Sequence, residues 1–223
     1  MSKFLLNING IKLKILLTNN TFNMVIKKML SLSSDVRSYM INSIKSDRDK
    51  CQLLMTCKKI SDCNFYFTKN INTCFIINLR WFDRFMNVSI NENNTTLPSN
   101  ISHLTICSDF NKPVHDYIPL SVTHLRLYCD IKLINKQLPS SIKYLHIDHT
   151  PDEYILKYLP SEVVELSFDS FYLGTPLPIL YNELKKGNFP SSVKRIIFKR
   201  TTFSCNEKDI IKSIPKVEVC FEN

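Results

Sequence analysis

Glycine is close to absent: the 223 residues contain three, Gly10, Gly174 and Gly187. A loop that cradles phosphate needs several glycines within a few residues, so that backbone N–H groups can close around the anion. Three scattered glycines exclude the usual nucleotide-binding loops. No Gly-x-Ser-x-Gly, His-Glu-x-x-His or Cys-x-x-Cys occurs, which removes the local signatures of α/β-hydrolases, zinc proteases and paired redox or zinc thiols. No apolar run is long enough to span a bilayer, and residues 1–20 are broken by Asn7, Asn9, Gly10, Lys12 and Lys14, unlike the core of a signal peptide. A cytoplasmic protein is therefore expected, with no membrane partner, no cofactor and no catalysis of its own. In that compartment the eight cysteines stay reduced. Cys51, Cys57 and Cys63 recur every six residues, which is neither a helical face nor a zinc spacing, so buried or incidental thiols are expected.

Acidic residues are scarce in one part of the chain only. Residues 1–80 hold 13 Lys/Arg against 4 Asp/Glu, and residues 81–223 hold 16 against 16, so the net charge of +9 arises before residue 81. The basic residues are scattered, paired only at Lys27-Lys28 and Lys58-Lys59, and lack the interleaved aromatics of a single-strand binder. A solvated basic face, or one that meets an acidic protein surface, fits this pattern better than a nucleic-acid groove.

What the chain does contain is a repeated frame. Leu138-Pro139-Ser140-Ser141-Ile142-Lys143-Tyr144-Leu145-His146-Ile147 recurs at 97–106, 118–127, 159–168 and 189–198. The prolines at 98, 119, 139, 160 and 190 are separated by 21, 20, 21 and 30 residues. Proline fixes its own φ and holds the preceding residue extended, so each Leu-Pro or Ile-Pro punctuates a connection. The apolar-x-apolar pair that follows, Leu145 and Ile147 around His146, predicts a short strand with one face buried. One such strand cannot bury its apolar side alone, and stacked copies can, so a leucine-rich-repeat-like solenoid is expected. Ile214-Pro215-Lys216-Val217-Glu218-Val219-Cys220-Phe221 repeats the frame in shortened form and is expected to cap the far end.

Asp109-Phe110-Asn111-Lys112-Pro113-Val114, before Pro119, resembles the Phe-Asn-x-Pro-Ile signature of FNIP repeats. These are leucine-rich-repeat relatives found in social amoebae and in giant viruses that infect amoebae. The resemblance covers roughly residues 85–221. In the strands, alternate positions are expected to face outward in two rows. His103, His124, Tyr144, Glu165 and Arg195 form one, and Thr105, Arg126, His146, Ser167 and Ile197 the other. Eight of these (His103, Thr105, His124, Arg126, Tyr144, His146, Glu165 and Arg195) are the candidate target-binding residues. His103 and His124 fall side by side, but no third ligand accompanies them, so no metal site is expected.

Before the repeats, Lys3–Leu17 alternates around Asn9-Gly10 and predicts a hairpin of strands Phe4–Ile8 and Ile11–Leu16. A short helix through Met24, Val25, Met29 and Leu30, capped by Thr21 or Asn23, follows. Leu32, Val36, Met40 and Ile44 recur every four residues and predict a helix capped by Ser33 or Ser34. Ser46-Asp47-Arg48-Asp49 supplies a break and a new N-cap, and Lys50–Ile60 continues as a second helix with Leu53, Leu54 and Cys57 inward. Cys74–Ile77 and Phe85–Ile90 both look like strands, with Trp81 and Phe82 near the start of the ladder.

Leu32, Asp35, Val36, Met40, Ile44, the Ser46–Asp49 turn, Leu53-Leu54 and Thr56-Cys57-Lys58 resemble an F-box, with Ser33 where that family has proline. The resemblance implies a Skp-type adaptor and its cullin complex as partners, with Leu32, Val36, Met40, Ile44, Leu53 and Leu54 as the adaptor-binding residues. The expected fold is α+β: a hairpin and F-box-like helices over 1–64, then a solenoid of five to seven FNIP-type repeats with terminal caps over 65–223. The implied function is that of a substrate receptor for a cullin-RING ubiquitin ligase, in which the repeats capture a target protein. A stand-alone leucine-rich-repeat-like scaffold is the first alternative, and a basic nucleic-acid binder the second.

Overall fold

The computed structural model describes residues 2–8, 11–17, 27–56, 60, 63–148, 156–169, 190–199 and 217–222. The chain divides into two compact units, Met1–Lys69 and Asn70–Asn223; the sequence expectation puts the break after residue 64. The expected cap at Thr21 or Asn23, Cys57, the long connection through residues 171–178, the loop of Asn206, Glu207 and Asp209, and the Ile214-Pro215 start of the last frame lie outside the described residues.

The first unit opens on an antiparallel pair, β1 (Ser2–Ile8) and β2 (Ile11–Leu17), with Ile8 opposite Ile11. Asn9-Gly10, the dipeptide best suited to a two-residue hairpin, stands between them in the chain. Both strands run slightly past the expected bounds. Residues 27–30 are helical. Helix α1, Ser34–Asn42, is capped by Ser33, whose Oγ accepts from the Val36 N–H at 3.4 Å. The residue that stands where an F-box has proline thus does the work of an N-cap. Helix α2 spans Asp47–Thr56 and begins earlier than the expected Lys50. Ser46 is the reason: its carbonyl accepts from the Lys50 N–H at 3.0 Å and its Oγ from the Asp49 N–H at 3.3 Å, so the first turn forms over the acidic stretch itself.

Residues 63–69 are tied to these helices by polar side chains. Ser38 Oγ accepts from the Asn64 N–H at 2.9 Å, and Asn42 donates to the Asn64 carbonyl and accepts from the Tyr66 N–H, each at 3.2 Å. Asp47 Oδ2 accepts from the N–H groups of Thr68 and Lys69 at 3.0 and 2.8 Å. Lys50 Nζ donates to the Tyr66 carbonyl at 2.9 Å and lies 3.5 Å from Asp47 Oδ1. Lys50 is 3% exposed, and a buried ammonium of this kind needs both partners.

The second unit is built on one eight-stranded sheet, every neighbouring pair parallel and the order strictly sequential. Its strands are β3 (Ile71–Asn72), β4 (Asn87–Ile90), β5 (His103–Ile106), β6 (His124–Leu127), β7 (Tyr144–Ile147), β8 (Glu165–Asp169), β9 (Arg195–Lys199) and β10 (Glu218–Glu222). Four of the five copies of the frame close the same hydrogen-bonded turn. The proline carbonyl accepts from the N–H three residues on, at 3.0 Å for Pro119–Val122, 3.2 Å for Pro139–Ile142, 3.3 Å for Pro160–Val163 and 3.0 Å for Pro190–Val193. Proline lacks only its N–H, so it can open a turn through its carbonyl while the small residues after it round the bend. The apolar residue after the bend is buried in each case.

Two inward rows form the core of the sheet. Val88, Leu104, Leu125, Leu145, Leu166 and Ile196 align in one, and Ile90, Ile106, Leu127, Ile147, Phe168 and Phe198 in the other, all buried. In the Phe-Asn-x-Pro-Ile-like segment Phe110 and Val114 are buried, and Phe110 meets Tyr117 edge to face at 5.3 Å.

Two expectations are corrected here. Cys74–Ile77 is not a strand: Thr73–Phe75 is a 3-10 turn, and strand pairing stops at Asn72. Asn72 Oδ1 accepts from the Cys74 N–H at 3.0 Å, and such an Asn cap turns the chain where an apolar run alone suggests extension. The outward row also changes character along the sheet. Ser167 and Ile197 are only 7% and 5% exposed, so they are not outward-facing surface positions. The run Ile196-Ile197-Phe198 is apolar on both strand faces, and a parallel strand of that composition is buried on both.

Candidate functional site

The pairing register places His103 beside His124, His124 beside Tyr144, Tyr144 beside Glu165 and Glu165 beside Arg195. The second row runs Thr105, Arg126, His146, Ser167, Ile197 in the same way. All eight candidate target-binding residues thus stand on neighbouring rungs of one sheet.

The first row has two halves with different chemistry. At one end the rings stack: His103 on His124 with centroids 3.9 Å apart, and His124 on Tyr144 at 4.3 Å, both nearly parallel at 11°. Rings stacked along the row stand on edge to the sheet, so edges rather than faces meet solvent. The residue before each histidine holds its ring, with Ser102 Oγ 2.8 Å from His103 Nδ1 and Thr123 Oγ1 2.9 Å from His124 Nδ1. Each hydroxyl also lies near a backbone carbonyl, Ser102 Oγ 3.4 Å from that of Met86 and Thr123 Oγ1 3.3 Å from that of Ser102. Each imidazole is thus held at Nδ1, while its Nε2 makes no hydrogen bond among the described residues. Two imidazoles face to face with both Nδ1 atoms committed do not converge on a metal. Among the described residues no group of three or more His, Cys, Asp or Glu side chains gathers at one point.

Toward the other end the row is ionic. Arg195 lies 3.5 Å from Glu165 and 3.8 Å from Glu218, and Lys199 lies 3.3 Å from Glu222. These side chains are partly exposed, so each pair adds little stability, but each of these cations has a carboxylate beside it. Asn70 reaches both rows at the start of the ladder, donating to Asn87 Oδ1 at 2.9 Å and to Thr105 Oγ1 at 3.1 Å. Nothing in the sequence signalled that contact, because Asn70 belongs to no repeat.

Partial burial pushes both histidines below their ordinary value; Arg126 adds to this for His103, and His103 and Arg126 add to it for His124. Both rings are neutral at neutral pH. An unfolded chain takes up protons as the pH falls through about 6.5, whereas the folded rings resist them. Stability is therefore expected to be full above that value and to decline below it. Urea midpoints at about pH 7.5 and about pH 5.5 check this, with a His103→Gln, His124→Gln double variant expected to lose less on acidification. An equal loss in the variant rejects the assignment.

Three of the thiols are chemically quiet. Burial pushes Cys129 up to about 11, and burial likewise raises Cys107 and Cys51. At neutral pH these are protonated and poor nucleophiles.

The candidate adaptor-binding residues separate into two groups. Ile44 and Leu54 are buried, and Met40 and Leu53 half-buried, while Leu32 and Val36 are exposed. Ile41, one position off the four-residue stripe, is the fully buried residue of α1, so the stripe is not a single inward face. Tyr39 and Met55 join the exposed set: Leu32 is 38% exposed, Val36 45%, Tyr39 68% and Met55 75%. Tyr39 follows Val36 by three residues and so shares its helical face, a spacing visible in the sequence. Met55 had no such signal. Among the described residues no helix is long and apolar enough to cross a membrane. Comparison of the chain with protein-family models, with curated proteins and with solved structures gave no match.

Proposed function

We propose that this chain is a two-part protein-binding module. Its first unit docks a Skp-type adaptor through an F-box-like pair of helices, and its second is a leucine-rich-repeat-like solenoid of FNIP type that holds a target protein. Together they make it a substrate receptor of a cullin-RING ubiquitin ligase. The observation that carries the first half is the exposure of Leu32, Val36, Tyr39 and Met55 on and beside the F-box-like helices. Large apolar side chains left in water on short helices are what a docked partner covers. The second half rests on the recurrence of the Leu-Pro frame with one parallel strand per copy. Such a ladder sets side chains at fixed rungs, and a rigid array loses little entropy when a partner binds.

The test is a pull-down of the full chain with a Skp-type adaptor from a social amoeba. Val36→Glu and Met55→Glu each replace an exposed side chain, so both variants are expected to keep the circular dichroism of the parent. Each is expected to weaken capture by about ten-fold or more, since a charge placed at a desolvated contact costs on the order of 2 kcal/mol. Full capture by the double variant, or none by the folded parent, would reject adaptor docking and leave a stand-alone scaffold.

A further inference from the structure

Charge is balanced unevenly on the outward face of the sheet. The half toward β10 pairs Glu165 and Glu218 with Arg195, and Lys199 with Glu222. On the half toward β3, Arg126 is exposed and makes no hydrogen bond or ion pair among the described residues. Its strand neighbours are Thr105 and His146, and His103 and His124 stand on the adjoining row. On the strands β4–β7 the outward positions of those rows hold Arg126 and no carboxylate. The arrangement has a cation without a counter-charge among the described residues and, beside it, two imidazole edges whose Nε2 atoms make no hydrogen bond among those residues.

We propose that this end of the outward face docks an acidic segment of the target protein, with Arg126 taking a carboxylate and the Nε2 atoms of His103 and His124 hydrogen-bonding to the same segment. An acidic peptide supplies carboxylates together with backbone donors and acceptors, so it can meet both the guanidinium and the ring edges. The planar guanidinium fork matches a carboxylate through two parallel N–H donors, which fixes orientation as well as adding attraction. The edge-on imidazole stack sets its two rings 3.9 Å apart, side by side along the row. The inference rests on the target-binding half of the function proposed above, and does not require the adaptor half.

Fluorescence anisotropy with a labelled hexaglutamate peptide, compared with hexaglutamine at low salt, tests it on the full chain. Hexaglutamate is expected to bind at least about ten-fold more tightly than hexaglutamine, and Arg126→Gln to remove about ten-fold of that affinity. Arg126→Lys keeps the charge without the fork, and is expected to fall between. Lys132→Gln alters an exposed cation away from the two rows, and is expected to leave binding unchanged. Equal binding of the two peptides, no effect of Arg126→Gln, or an equal effect of Lys132→Gln overturns the proposal. Capture of a phosphopeptide or an oligonucleotide in place of hexaglutamate overturns it too. Adaptor pull-down with the same Arg126→Gln protein keeps the questions apart. Retained capture with peptide binding lost supports the inference, while hexaglutamate binding without adaptor capture removes only the ligase link.

Discussion

Replacing Phe168 with alanine is expected to lower the unfolding free energy by about 4 kcal/mol, read from the urea midpoint at an unchanged slope. Phe168 is 1% exposed in the inward row of β8, and its ring packs on Phe198 at 5.8 Å, which in turn packs on Phe221 at 5.6 Å. Removing the ring takes away buried apolar area and leaves a void between rungs whose backbone spacing is set by hydrogen bonds, so collapse to fill it is restricted. Leu120→Ser is the matched comparison. Leu120 is 79% exposed in the turn after Pro119, where the other four copies carry serine, and its loss is expected to change stability by no more than about 0.5 kcal/mol. Equal costs for the two substitutions would mean that the inward row is not the core.

Asp47→Ala is expected to cost about 3 kcal/mol, the second large effect. The carboxylate accepts two backbone N–H bonds from Thr68 and Lys69 and is the ion partner of buried Lys50. Its removal leaves an ammonium out of water with one carbonyl for company and two N–H groups unmet. Lys50→Met alone is expected to cost less, on the order of 1–2 kcal/mol, because a methionine fills much of the same space and the carboxylate keeps its N–H donors. The double variant is then expected to be clearly more stable than the sum of the single losses predicts, since the unpaired ammonium is gone. Strict additivity in that cycle would show that the two side chains are not coupled.

Much of the sheet was legible because its frame repeats. Pro119, Pro139 and Pro160 step by nearly equal lengths, so the residues that follow each proline had to occupy equivalent rungs. His103, His124 and Tyr144 fell into one row on that ground alone, and the register places them there. Periodicity failed where it was interrupted by a side chain that bonds its own backbone. Asn72 ends β3 and turns the apolar residues after it into a 3-10 segment, and Ser46 starts α2 ahead of the apolar pattern. Both are short-range polar effects that hydrophobic spacing does not register.

The helices of the first unit show the limit more plainly. Leu32, Val36, Met40 and Ile44 share a spacing, yet the first two are exposed and Ile44 is buried. The burial of Lys50 was not legible either, because its partner at Tyr66 lies sixteen positions away in the chain.

The sequence by itself determined the sequential order of β5–β9 and which of their residues share a rung. A repeated frame makes each copy the template for the next, and those properties depend only on local chain geometry. The tertiary structure alone decided which apolar side chains of the helices remain in water, which charges are paired, and that Arg126 has no counter-charge among the described residues. Each of these depends on what arrives from elsewhere in the chain to cover or face the group, and burial and pairing are set by distances in space that no local pattern encodes.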